Sequence, residues 1–188
     1  AGPKIMILVF GKNGQVATEL QRFNNIFAVD RDQADLSIPS SCSNAIKAYA
    51  PEAVINAAAY TTVDRAETEE DLATVINGDS PTIMAETCAD LKIPFVHISS
   101  DYVFSGKGHM PWKTTDVVHP LNAYGRSKNA GEVGIRAANA THAILRTSWV
   151  FSAHNKNFVK TMLRLSETHE KLLLISDQIG GPTPAADI

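Results

Sequence analysis

The chain has 188 residues, of which 44% are hydrophobic and 20% charged, and its formal net charge is −3. That balance fits one globular domain with a full core, and charges of both signs spread along the chain give no basic face for nucleic acid. No apolar run approaches the roughly 18 residues a bilayer span needs and no signal peptide is visible, so the expectation is a cytoplasmic protein with no membrane partner.

Taken from the N-terminus, "KIMILVF" (4–10) predicts a first strand and "GKNGQVATEL" opens a helix over 14–24. "IFAVD" (26–30) predicts a second strand, followed by a helix over 40–50 that Pro51 closes off. "AVINAAA" (53–59) is the third strand, and a long helix over 70–91 ends ahead of Pro94. "FVHISS" (95–100) is the fourth, with a helix over 124–138 after it, and "AILRTS" (143–148) is the fifth. A helix over 156–169 and a sixth strand, "LLLIS" (172–176), complete the series. The strands are rich in Ile, Val and Leu without strict alternation, as strands buried on both faces are. Strands alternating with helices predict an α/β fold, a doubly wound, Rossmann-like parallel sheet with helices on both faces. The prediction is one dinucleotide-binding domain over 1–188. Cys42 and Cys88 are too few for a disulfide framework and favour a reducing compartment. "AGPK" has no starting Met and "GGPTPAADI" resembles a loop entering a helix, so a piece of a longer chain is expected.

The first strand runs straight into a glycine turn. Gly11 and Gly14, completed by Ala17, match GxxGxx(G/A), with Lys12, Asn13, Gln15 and Val16 filling the turn. Glycine is needed where backbone turns tightly or approaches a pyrophosphate, and the following helix offers free N–H groups to phosphate. A plain strand-to-helix turn is the competing reading. Asp30 closes the second strand where an acidic residue would meet an adenosine ribose, which favours NAD. Arg31 and Lys12 beside it suit a 2′-phosphate and favour NADPH, with NADH as a second cofactor. Asp35 and Leu36 lie where a loop would cover an adenine, although a solvated loop fits equally. Ala57, Ala58 and Ala59, followed by Tyr60, end the third strand with room for a flat ligand, and ordinary alanine packing is the alternative.

The fourth strand ends in Ser99, Ser100, Asp101 and Tyr102, polar groups that are costly there unless bonded or facing a site. Neighbouring strand residues point to opposite faces, so only one of the two serines can serve a pocket. Trp149 stands at the rim after the fifth strand, where core packing and stacking on a sugar or base are both open. Tyr124 lies four residues before Lys128 on the helix after that serine, so the two share a face. Carbonyl reduction needs a hydride and a proton. A nearby ammonium and an oxidised nicotinamide would lower the phenol's pKa and make it a better proton shuttle. Ser100, Tyr124 and Lys128 are the expected catalytic residues.

Gly11–Ala17, "NAAAYTTVDRAE", "SSDYVFSG", "PLNAYGRSK", "RTSWVF" and "DQIGGPT", in that order, resemble the extended short-chain dehydrogenase/reductases and, more closely, the dTDP-4-dehydrorhamnose reductase family. The resemblance covers essentially the whole chain. It implies NAD(P)H-dependent reduction of the C4 keto group of a dTDP-linked 6-deoxy-hexulose to dTDP-L-rhamnose, a polysaccharide precursor. It implies Ser100 where the family usually has Thr, Tyr124 as acid and Lys128 as its partner. Nicotinamide contacts would come from Lys128 and the backbone around Ala57–Ala59. Ser100, Asp101, Tyr102, Tyr124 and Trp149 would face the sugar. Family members continue beyond this stretch to complete a substrate-binding lobe, of which this chain would hold only the start. Some members form homodimers and bind Mg2+, but no metal site maps onto this sequence. The six histidines, His97, His109, His119, His142, His154 and His169, show no metal spacing and are expected to be solvated or core residues. A related epimerase or dehydratase that recycles its cofactor, and a non-catalytic NADP-binding subunit, are the alternative readings.

Overall fold

The structure, a computed structural model, describes residues 5–188. Its central sheet has five strands, β1 (Ile7–Phe10), β2 (Ile26–Val29), β3 (Ala53–Asn56), β4 (Phe95–Ser100) and β5 (His142–Thr147), in spatial order β2-β1-β3-β4-β5. All neighbours are parallel, so each connection must cross over the sheet. The crossovers carry α1 (Gln15–Leu20), α2 (Pro39–Tyr49), α3 (Val63–Ala66), α4 (Glu70–Thr74), α5 (Ser80–Leu91) and α6 (Ala123–Ala137), with α7 (Phe158–Ser166) following β5. This is the expected doubly wound fold.

The apolar runs are continuous because the strands serve two cores. Leu8 and Phe10 of β1 join Val54, Phe95, Ile46, Met84 and Ile135 on one side of the sheet. Val9 packs with Ala17 of α1 and Ala28 of β2 on the other. Cys42 lies inside the larger core with Cys88, and both are free thiols that burial pushes up, to about 11 and about 12. Among the described residues no helix is long and apolar enough to cross a membrane.

Four expectations are corrected. The sixth strand is absent: residues 172–176 form no ladder, and Leu173, Leu174 and Ile175 are exposed. β5 bonds β4 alone and leaves its far edge open. A separate parallel pair instead joins β6 (Val150–Phe151) to β7 (Thr183–Pro184). The helix expected over 70–91 is interrupted by a π turn at Val75–Asp79, between α4 and α5. Two helices are shorter than predicted: α1 stops at Leu20, and α7 spans Phe158–Ser166 with no buried residue. The first predicted strand includes Lys4, which lies outside the described residues, and its ladder begins at Ile7.

Candidate active site

The strand order reverses between β1 and β3, and in such sheets the crevice forms beyond the carboxyl ends at that point. Gly11 follows β1 directly with φ +94°, a conformation that side chains strain to adopt. A Cβ on Gly11 would come within 2.9 Å of the Ala58 nitrogen, so the turn and the end of β3 approach as closely as bare backbone allows. The Gly14 N–H closes the turn on the Gly11 carbonyl at 2.7 Å. A cleft of about 650 Å³ extends from this turn to Tyr124 and Trp149. Its size and its glycine-lined end fit a dinucleotide. Gly11→Ala is expected to weaken NADPH binding roughly tenfold or more, since left-handed backbone alone costs a side chain about 1–2 kcal/mol. Titration of NADPH fluorescence checks this, and unchanged affinity would remove the turn from the site.

At the Asp30 end of the cleft the charges pair with one another. Lys12 Nζ lies 4.0 Å from Asp30, and the Arg31 guanidinium donates to Asp35 at 2.9 Å. Burial pushes the Asp35 carboxyl up, but the Ser37 N–H and hydroxyl and Arg31 together hold it below its ordinary range. Leu36 is buried in the larger core.

The catalytic candidates come from β4 and α6. Asn122 caps α6 by accepting the Gly125 N–H at 2.7 Å, which starts the helix beside Tyr124. Lys128 follows one turn later and is 1% exposed. Helix α6 lies very close to the π turn, because a Cβ on Gly131 would collide with the Asn77 carbonyl. The π turn swings Asn77 inward. Its amide accepts the Tyr60 N–H at 2.8 Å and donates to Ser127 at 3.0 Å, tying the loop after β3 to α6.

Burial is the leading influence on Tyr124. Burial pushes the phenol up to about 12; a hydrogen bond with Ser100 pulls it down, and the Asp101 charge raises it further. Lys128 is not among these influences. Its amine donates instead to the Ile98 carbonyl at 2.7 Å and lies 3.3 Å from His97 Nε2. Burial draws that amine down to about 8, against the favourable charge of Glu132. The Ser100 hydroxyl faces the cleft, accepts the Tyr102 N–H at 3.2 Å and donates to Asp101. Burial raises the Asp101 carboxyl despite those bonds. Ser99 also borders the cleft, but its hydroxyl donates to Glu132 at 2.7 Å. Tyr102 meets Tyr124 edge-on with centroids 5.4 Å apart. Trp149 is left-handed at φ +48° and packs on Gly180 and Phe158.

The cleft gathers the residues singled out from the sequence, with one exception. Tyr60 does not line it. Its hydroxyl donates to Glu69 at 2.8 Å, on the side of α3 and α4. Thr61 and Thr147, which lie inside the quoted blocks without having been named singly, also line the cleft, as do Ile76 and Asn155, which no motif marked. Asn155 reaches it by donating to the Asn13 carbonyl, while Gln15 donates to Val150, so the segment after β5 is latched onto the glycine turn. Among the described residues no three His, Cys, Asp or Glu side chains converge as metal ligands.

Residues 5–188 match the family model described as the RmlD substrate binding domain. The dTDP-4-dehydrorhamnose reductase of Escherichia coli K12 is 43% identical over 187 residues, which cover 95% of this chain and 62% of that protein. The crystal structure of dTDP-4-dehydrorhamnose reductase from Bacillus anthracis, solved in complex with NADP, superposes with a TM-score of 0.93 at 36% identity. It covers 98% of this chain and 67% of that one. The Clostridium acetobutylicum reductase gives 0.92 at 36% identity, covering 97% and 67%. The chain thus spans about 62% of the length of the Escherichia coli relative.

Proposed function

The chain belongs to the RmlD substrate binding domain family, and on that premise we propose that it serves NADPH-dependent reduction of the C4 keto group of dTDP-4-dehydrorhamnose to dTDP-L-rhamnose. The observation that carries the reading is the convergence of Ser100, Tyr124 and Lys128 on the cleft that the Gly11–Gly14 turn opens. The turn would seat the pyrophosphate, Asp30, Lys12 and Arg31 the adenosine ribose, and the backbone of Ala57–Ala59 with Lys128 the nicotinamide end. Bound there, the nicotinamide supplies the hydride to C4. The chain's own residues do the rest. Ser100 holds the keto oxygen by a hydrogen bond, and Tyr124 gives that oxygen its proton, leaving an alcohol. Asp101, Tyr102 and Trp149 would border the sugar. Two free, buried cysteines support a reducing compartment such as the cytoplasm.

The test is NADPH oxidation with the dTDP-linked 4-keto sugar. One NADPH consumed per alcohol formed is expected. An epimerase or dehydratase would recycle its cofactor, so turnover of the sugar with no net NADPH loss overturns the reading.

The cofactor preference rests on Arg31, whose partner among the described residues is Asp35. Arg31→Ala is expected to weaken NADPH about tenfold, since charge-assisted bonds to a phosphate contribute roughly 1.5–3 kcal/mol. NADH affinity should change little. Parallel titrations check this, and equal losses for both cofactors would remove Arg31 from the 2′-phosphate site.

A further inference from the structure

A buried row of polar side chains runs under the cleft toward the Lys128 amine. Asn56 of β3 and His97 of β4 are register partners in adjacent parallel strands, so their side chains stand side by side. Both are 0% exposed. Asn56 Oδ1 accepts the Ala58 N–H at 3.1 Å, which fixes the orientation of its amide. The Asn56 NH2 group is thereby aimed at His97 Nδ1, 3.2 Å away. That nitrogen must accept, so the proton of the neutral ring sits on Nε2. Nε2 lies 3.3 Å from Lys128 Nζ. An N–H directed there finds a partner only in the neutral amine, which can accept it while donating to the Ile98 carbonyl at 2.7 Å. An ammonium has no lone pair to offer. To receive an N–H from the ammonium, His97 would have to carry its proton on Nδ1, facing the Asn56 NH2. Turning the Asn56 amide to relieve that conflict would give up the Ala58 N–H, in the backbone that abuts the glycine turn.

We propose that His97, its tautomer set by Asn56, is a positioning residue that governs whether the Lys128 amine carries a proton. Its bearing on catalysis rests on Lys128 serving the reaction proposed above. It links the protonation of that lysine to the backbone at Ala58, where the cofactor turn meets β3. The direction agrees with burial, which holds Lys128 down to about 8 and keeps the His97 ring neutral. The remaining charged groups around Lys128 are few. Glu132, one turn along α6, favours the ammonium, and its charge is shared with Arg136 of α6 and Arg146 of β5. Asp101, beyond β4, acts on Tyr124.

Two measurements test this, and neither depends on turnover. The nitrogen-15 shifts of the His97 ring report its tautomer, and the titration of the Lys128 Cε resonance, assigned by its loss in Lys128→Met, reports the amine. The wild-type ring should carry its proton on Nε2. In Asn56→Asp the carboxylate still accepts the Ala58 N–H but draws the His97 proton to Nδ1. Nε2 then accepts from the ammonium, and the Lys128 midpoint should rise by roughly one pH unit or more. If that variant does not fold, His97→Gln carries the test. Its amide can turn its oxygen to the ammonium, and the midpoint should again rise. In the reductase assay the limb of the kcat profile set by Lys128 should shift with it. A wild-type ring protonated on Nδ1, or a midpoint unmoved in a folded variant, overturns the inference. A protein that fails to oxidise NADPH but shows both shifts would refute the reductase reading and leave this one standing.

Discussion

Tyr124→Phe is expected to lower turnover of the 4-keto sugar nucleotide by about 10²–10⁴-fold, the usual worth of a positioned general acid. Cofactor affinity and thermal stability should stay near wild type. The ring that packs edge-on against Tyr102 is retained, so the change removes the hydroxyl and little else. Burial, which pushes the phenol up to about 12, keeps it protonated over the working pH range. On the proposed reading it would enter the reductive direction as a loaded proton donor. Its raised pKa would also make it a weak acid, so its value would depend on geometry and on Ser100 bonding the same keto oxygen. The measurement is steady-state kinetics beside an NADPH titration and a thermal melt. A variant that keeps most of its activity would show that the proton comes from elsewhere, and Asp101, raised by burial at the same end of the cleft, would be the next candidate.

The five sheet strands were legible because each is a short apolar run buried on both sides, as Leu8 and Phe10 against one core and Val9 against the other illustrate. "LLLIS" carries the same local signal yet forms no strand. Composition reports a wish to be buried, whereas a ladder also needs a neighbour, and the free edge of β5 does not receive it. Thr183–Pro184 had no apolar signal and is a strand only because Val150–Phe151 lies alongside. The helix over 70–91 was read as continuous because periodicity tolerates one extra residue, and the π turn uses that residue to point Asn77 at α6. Tyr60 was misplaced for a similar reason, since its partner Glu69 belongs to a local fold the sequence does not display. His97, one of six histidines expected to be solvated or core residues, is fully buried, and no motif marks its link to Lys128. A signal existed. His97 and Ser99 are two apart on a strand, about 6.6 Å, and Lys128 and Glu132 are four apart on a helix, about 6 Å. Those matched spacings let two strand side chains meet two helix side chains in order, His97 with Lys128 and Ser99 with Glu132.

The second of those contacts carries the largest expected effect on stability. Glu132 is 0% exposed, and its carboxylate accepts two bonds from Arg146, at 2.9 and 2.6 Å, one from Arg136 at 2.9 Å and one from Ser99 at 2.7 Å. Arg146 in turn lies over the Phe104 ring, 4.7 Å from its centroid, so the carboxylate holds α6, β4 and β5 together at one point. Glu132→Ala leaves the Arg146 guanidinium nearly buried without its partner and the Ser99 hydroxyl without an acceptor. Breaking a buried pair from one side commonly costs about 3–5 kcal/mol. The pH dependence has a definite sign. Burial pushes the Glu132 carboxyl up, but the bonds from Arg146, Ser99 and Arg136 outweigh it and leave the folded group below its ordinary 4.5. The unfolded chain then binds this proton more readily than the folded one. The stabilisation is in full force above about pH 4.5 and is lost as the pH falls through the lower folded value. Urea unfolding of wild type and Glu132→Gln between neutral and acid pH separates the two effects. The wild type should lose stability on acidification, whereas the variant, having no carboxyl at this site, should lack that share of the loss. Equal acid slopes, or a Glu132→Ala variant as stable as wild type, would mean that the four bonds do no more than offset the cost of burying the charge.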